Sequence, residues 1–159
     1  MICITGPPKS GKTTICAELN RNGIECISAG KLAESLGCLE SDIVDIDCMN
    51  DKMRLFPRVI EGHYSHLLKC DYVIILKNDP RTLEERMKLA GYSREKIAEN
   101  IEASEIEIFR FEALDALPAG RIVTCDLSGK NISEAVSAVM NKIIEVETLT
   151  VKRQIVTRF

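Results

Sequence analysis

The 159-residue chain has no tryptophan, no C-x-x-C pair and no surplus of basic charge. It carries 21 Lys+Arg against 24 Asp+Glu, a formal net charge of -3, which argues against a dedicated electrostatic nucleic-acid binder. No apolar stretch approaches the roughly 18 residues that a membrane span needs. The opening Met-Ile-Cys-Ile-Thr leads straight into a glycine-rich turn, so no signal peptide is expected. Internal repeats and low-complexity linkers are also missing. The seven cysteines (Cys3, Cys16, Cys26, Cys38, Cys48, Cys70 and Cys125) are odd in number and scattered. That spacing suits neither a disulfide framework nor a zinc ribbon, so reduced thiols in a cytoplasmic protein are expected.

What is present is an ordinary globular composition, 45% hydrophobic and 28% charged. A chain of this length buries enough surface for one domain without staples. Short β-branched runs alternate with helical patterns, the sign of a parallel sheet covered by helices. The strand candidates are Ile2–Thr5, Ile24–Ser28, Arg58–Glu61, Tyr72–Lys77 and Arg121–Cys125. Lys12–Arg21 reads as a helix closed by Asn22-Gly23, and Asp79-Pro80 opens another through Lys88. Ile97, Ile101, Ile108, Phe111, Leu114 and Leu117 share one helical face, which predicts a long helix from about Ser93 to Leu117. Ile132, Val136, Val139 and Ile143 repeat the pattern in a last helix, whereas Thr148–Phe159 has too weak a period to assign.

Between the first strand and first helix lies Gly6-Pro7-Pro8-Lys9-Ser10-Gly11-Lys12-Thr13, a G-x-x-x-x-G-K-[ST] phosphate loop. Backbone N–H groups and a helix N-terminus face anionic phosphates there, a lysine reaches the β/γ oxygens, and the Thr13 hydroxyl serves Mg²⁺. The segment therefore reads as a nucleoside-triphosphate site. Glu61 closes the third strand run, where such enzymes hold Mg²⁺ or its water shell; a solvent-facing acid is the alternative. His63 and His66 are three apart. A zinc pair would need further ligands in register, so His66 reads as structural, while His63 is placed to orient water or touch phosphate. Arg86, Arg94 and Lys96 bracket Gly91-Tyr92, which suits a lid closing over phosphates or, alternatively, a solvated charged face.

Over about residues 1–146 these segments resemble the archaeal and nuclear-type adenylate-kinase-like P-loop proteins. Those proteins combine nucleoside monophosphate kinase and ATPase activity with a role in small-ribosomal-subunit maturation. The resemblance rests on Thr5-Gly6-Pro7-Pro8 with Gly11-Lys12-Thr13-Thr14, on Glu61-Gly62-His63-Tyr64-Ser65-His66-Leu67, on Leu83-Glu84-Glu85-Arg86-Met87, and on Gly91-Tyr92-Ser93 with Lys96-Ile97-Ala98-Glu99-Asn100. It implies an α/β P-loop fold, one domain over 1–159, with a five-stranded parallel sheet in the order 2-3-1-4-5. It also implies a monophosphate-binding insert at about 28–50 and a lid at about 89–99.

By the same resemblance Lys12, Glu61, His63 and Arg86 are the catalytic candidates. Gly6, Lys9, Gly11, Lys12, Thr13, Thr14 and Lys130 are the nucleotide contacts, and Thr13 with Glu61 would hold Mg²⁺. Implied partners are ATP, a nucleoside monophosphate with AMP foremost, a small-subunit ribosomal protein and pre-ribosomal particles. The sequence departs from the pattern at four positions. Lys9 replaces a glycine, Ala90 an arginine and Lys31 an acid, and Ser104 stands where an acid is usual, with Glu105 one residue later. Alternatives to the kinase are an ATP-driven assembly switch and a P-loop kinase for a small metabolite.

Overall fold

Strand β1 (Ile2–Thr5) is buried along its whole length, because it lies at the middle of a parallel sheet. It pairs with β5 (Val59–Glu61) on one side and β6 (Tyr72–Lys77) on the other. The outer strands are β2 (Cys26–Ser28), against β5, and β7 (Ile122–Asp126), against β6. The order β2-β5-β1-β6-β7 is 2-3-1-4-5 when only this sheet's strands are counted, as expected. A separate antiparallel pair, β3 (Leu39–Glu40) and β4 (Ile43–Val44), lies outside it. This computed structural model describes residues 1–41, 43–105 and 107–156, with side chains through 150.

Alternate strand residues point to opposite faces, and each face is closed by helices. Ile2, Ile4, Ile74 and Leu76 pack with α1 (Lys12–Arg21) and α7 (Ile132–Val156) through Ile15, Leu19, Val139 and Ile143. Cys3, Ile60, Val73 and Ile75 pack on the other face with α2 (Ala29–Leu36), α3 (Ile46–Lys52) and α6 (Ile108–Ala116) through Ala33, Met49 and Ala113. Helix starts follow local chemistry. Asp79 caps α4 (Pro80–Leu89) by accepting from the Thr82 N–H at 3.0 Å. Asn131 and Glu134 form a reciprocal capping box at the start of α7.

Two expectations need correction. The helix predicted from 93 to 117 is two helices, α5 (Arg94–Glu105) and α6, broken at Glu107, whose φ is 56°. Glu107 pairs there with Lys77 at the end of β6. The two halves bury different things: Ile97 and Ile101 pack on Leu83 and Met87 of α4, while Phe109, Ala113 and Leu117 pack on the sheet. The face therefore restarts after the break, leaving Phe111 and Leu114 outward. The unassigned tail continues α7 through Val156, and residues 157–159 lie outside the described residues.

The second correction concerns the thiols. Cys3 is bonded to Cys70, Cys16 to Cys26 and Cys38 to Cys48, leaving Cys125 free and buried. Spacing hid this because the fold makes the pairs. Ile2 is in register with Tyr72, which carries Cys70 to Cys3 across 67 residues, and α1 folds back so that Cys16 meets Cys26 on β2. Among the described residues no helix is long and apolar enough to cross a membrane.

Thiol titration tests the pairing. Denatured without reductant, the protein should show one reactive thiol, and after reduction seven. Removing the Cys3–Cys70 link should cost about 4 kcal/mol, from the long loop that it closes in the unfolded chain, read by denaturant unfolding.

Candidate functional site

In a parallel sheet all strands end on the same side, so the register gathers Thr5, Ser28, Glu61 and Asp126 along one edge. Ligands of open α/β sheets bind in the crevice beyond that edge. The chain leaves β1 through Gly6 at φ 141°, a position where a Cβ would lie 2.6 Å from the Leu76 carbonyl oxygen. Only glycine passes so close to β6. The loop then turns through Lys9, at φ 63°, and Gly11, at φ 105°, into the N-terminus of α1. The left-handed geometry at Lys9 costs a non-glycine residue on the order of 1 kcal/mol.

Lys12 lies inside this loop, 8% exposed. Its Nζ donates to the Gly6 carbonyl at 2.8 Å and the Pro7 carbonyl at 2.7 Å, and lies 3.4 Å from Ser10 Oγ. Burial lowers its pKa to about 8, while the nearby Glu61 charge works against that shift. Glu61 is only 4% exposed and is held above the usual carboxylate range, chiefly by burial. Opposing that are the charge of Lys12, hydrogen bonds from Ser28 and Thr13, and the charge of Lys31. Thr13 and Glu61 line one cavity together. One hydroxyl and one carboxylate form a small, hard oxygen donor set, which fits Mg²⁺ bound largely through phosphates and water. Among the described residues no cluster of three or more His, Cys, Asp or Glu forms a metal cage.

Three cavities meet at this loop. The first, about 630 Å³, is lined by Lys9, Gly11, Lys12, Thr13 and Thr14 from the loop, facing His63, Arg86, Tyr92, Lys96 and Asn100. The second, about 170 Å³, shares Gly11, Thr14 and Arg86 and runs out to Asn78, Lys130 and Asn131. The third, about 520 Å³, shares Thr13 and is walled by Ser28, Lys31, Ser35 and Glu61. Arg86 Nη1 donates to the Lys9 carbonyl at 3.1 Å and so braces the loop. His63 stands at the first cavity only partly open to solvent, its pKa lowered by partial desolvation, then by the charges of Lys12 and His66.

The structure thus brings Lys9, Gly11, Lys12, Thr13, Thr14, His63 and Arg86 together, with Glu61 behind Thr13 and Lys130 in the adjoining pocket. Gly6 shapes the loop from beneath. The bracketing cations separate: Lys96 lines the first cavity, whereas Arg94 lies in a different surface groove with Glu84, Lys88 and Glu102. Ala90 follows the last turn of α4 and is exposed. Sequence reasoning assigned no role to Tyr92, Asn100, Ser28 or Asn78. Asn100 follows Lys96 by four residues on α5, so its face was readable. Tyr92 gathers Lys96 and Lys9 at 5.1 and 5.8 Å from its ring, a contact between separate elements.

A polyphosphate entering the first cavity favours the charged form of Lys12. Above a pH of about 8 the unliganded lysine is partly neutral, so binding should take up protons. Calorimetry of triphosphate binding in buffers of differing ionisation enthalpy should show that uptake for the native protein and none for Lys12→Met.

A family model described as AAA domain matches residues 2–109. The "Putative adenylate kinase" of Thermoplasma volcanium is 44% identical over 141 residues, covering 87% of this chain and 91% of the relative. The protein of the same description from Thermoplasma acidophilum is 48% identical over 124 residues, covering 77% and 84%. Among solved structures, a gluconokinase from Sinorhizobium meliloti 1021 superposes with TM-score 0.56 at 17% identity, covering 96% of each chain. The thymidylate kinase of Candida albicans superposes with TM-score 0.53 at 14% identity, covering 92% of this chain and 91% of that one. At such identities these two structures show a shared fold only. The loop, the sheet order and the archaeal relatives together make this chain a member of the adenylate-kinase-like P-loop family.

Proposed function

We propose that the chain is a nucleotide kinase that moves the terminal phosphoryl group of Mg·ATP to a nucleoside monophosphate, with AMP the first candidate. The observation that carries this reading is the meeting of three cavities along the loop end from Gly11 to Thr14, the first sharing Gly11 and Thr14 with the second and Thr13 with the third. The central one takes the triphosphate, the pocket at Lys130 and Asn131 takes the donor's base, and the pocket at Ser28 and Lys31 takes the monophosphate. A phosphate oxygen of the acceptor attacks the γ-phosphorus while the bond to the β-phosphate oxygen breaks, giving two diphosphates.

Catalysis is then positioning and charge neutralisation. Lys12 and the loop N–H groups hold the β/γ oxygens, and Arg86 keeps the loop in shape while facing the transferred group. Thr13 and Glu61 would hold Mg²⁺, which supplies further neutralisation of the phosphates. His63, kept neutral near pH 7, is placed to orient a water or a phosphate oxygen. We also read residues 28–50 as the monophosphate-binding insert and 89–99 as the lid of one domain. The second reading, favoured by the uncharged Ala90, is an ATP-driven switch in cytoplasmic assembly of the small ribosomal subunit, acting with a ribosomal protein. There ATP hydrolysis replaces transfer.

One coupled assay separates the two: ADP formation from ATP with and without each monophosphate. A strong AMP stimulation supports the kinase, and equal rates support the switch. Lys12→Ala should lower turnover by about 100-fold or more in a folded protein. Glu61→Gln should reduce turnover while leaving Mg²⁺-free nucleotide binding intact, and unchanged activity would remove Glu61 from the site.

The lid cations give a second test. Lys96→Ala should lower kcat because Lys96 faces the phosphate cavity, whereas Arg94→Ala should leave it near the native value. Steady-state kinetics of both variants check the assignment, and the opposite ranking would place the clamp on Arg94.

A further inference from the structure

His66 is 1% exposed, in the short 3₁₀ turn Ser65–Leu67 that follows β5, and the kinase reading gives it no task. Its Nδ1 lies 3.0 Å from Thr5 Oγ1 on β1, and its Nε2 lies 2.8 Å from Glu112 Oε2 on α6. The Phe109 ring, also on α6, meets the imidazole edge-on at 5.6 Å. Thr5 Oγ1 makes a second contact, at 3.0 Å, with the backbone carbonyl oxygen of His63. The titratable groups facing His66 are thus Glu112 from α6 and His63 from the loop after β5; Thr5 and Phe109 carry no charge.

Counting protons exposes two states. A hydroxyl has one proton to give, and a carbonyl oxygen can only accept. When Thr5 donates to the His63 carbonyl, His66 Nδ1 must carry a proton and donate to Thr5. The contact between Nε2 and Glu112 needs a proton as well. The imidazole–carboxylate pair then holds two protons between them. With one proton fewer, the remaining one sits between Nε2 and Glu112, and Nδ1 presents a lone pair. Thr5 turns its hydroxyl toward the ring, and the His63 carbonyl loses its donor.

From this geometry we infer that Thr5, His66 and Glu112 form a positioning relay in which one proton on the His66–Glu112 pair decides whether His63 is held at the phosphate cavity. The role of His63 rests on the kinase reading; the relay itself does not. Burial favours the neutral ring, and the half-exposed Glu112 carboxylate favours the charged one. Burial is the larger effect, so the extra proton arrives on the acid side of the usual imidazole range. The relay therefore grips His63 as pH falls and releases it as pH rises.

The chain has only two histidines, which makes the test direct. Ring ¹⁵N shifts of His63 and His66 and the ¹³C shift of the His63 carbonyl are followed between about pH 5 and pH 8 in the nucleotide-free protein. The carbonyl should titrate with the His66 midpoint, read separately from the His63 ring. In Thr5→Val, His66 should still titrate while the carbonyl stops following it. In Glu112→Gln, whose altered side chain is half-exposed, both should move together to lower pH, and the acid inflexion of nucleotide turnover should move with them. A carbonyl that follows only its own ring, or that follows His66 equally in Thr5→Val, overturns the relay. Should Thr5→Val not fold, failure of the carbonyl to follow His66 in Glu112→Gln overturns it equally. A relay seen by NMR in a protein that turns over no nucleotide at any pH overturns the kinase reading instead.

Discussion

Keeping a lysine ammonium inside a loop requires oxygen atoms around it, and the shape of the phosphate loop follows from that requirement. Moving a cation away from water is costly unless it is hydrogen-bonded and paired. For Lys12 the partners are the carbonyls of Gly6 and Pro7, with the charge of Glu61 nearby. Those carbonyls face inward because the backbone passes through positive φ at Gly6, Lys9 and Gly11. Gly6 can make its turn only because no side chain separates it from the Leu76 carbonyl. The same inward carbonyls leave the N–H side of the loop facing outward, where an anion is stabilised by the start of α1.

The sheet does the remaining assembly. Parallel pairing sets Ile4 opposite Glu61 and Ser28 opposite Glu61, so three strand ends converge within one hydrogen-bonded neighbourhood. Glu61 is buried there among hydroxyls and two lysines, which lets a carboxylate persist at a site that desolvates it. The residues just beyond β5 connect this centre to the opposite side of the fold. Ser65 Oγ donates to the Ile4 carbonyl at 2.8 Å, and His66 bridges β1 to α6. The segment that carries His63 is thereby fastened to the strand that launches the phosphate loop.

Three of the departures from the family pattern take on physical meaning. Lys9 occupies a left-handed position, so its replacement of glycine carries a conformational cost, while its ammonium stands 5.8 Å from the Tyr92 ring at the phosphate cavity. Lys96 reaches the same ring at 5.1 Å, and Arg86 holds the Lys9 carbonyl. Cationic density around the cavity therefore comes from several elements although Ala90 contributes none. Lys31, in place of an acid, adds positive charge to the cavity beside Glu61.

Local rules were legible in the residues alone. Short β-branched runs marked the five strands of the main sheet to within two residues, the phosphate loop announced its own chemistry, and Asn22-Gly23 and Asp79-Pro80 marked a helix end and a helix start. Each depends on neighbours in sequence. The rest depended on neighbours in space. A continuous helical period ran from 97 to 117, yet the chain turns at Glu107 because Lys77 pairs with it and the two halves find different surfaces to cover. Cysteine spacing could not show that β1 and the approach to β6 lie side by side, so three disulfides went unread. Arg94 and Lys96 differ by two positions on a helix, which sends them to different faces, and only packing decides which face meets the phosphate cavity. His66 looked structural from its spacing. Its partners, Thr5 and Glu112, lie 61 and 46 residues away, a separation that only the folded sheet and its covering helix close.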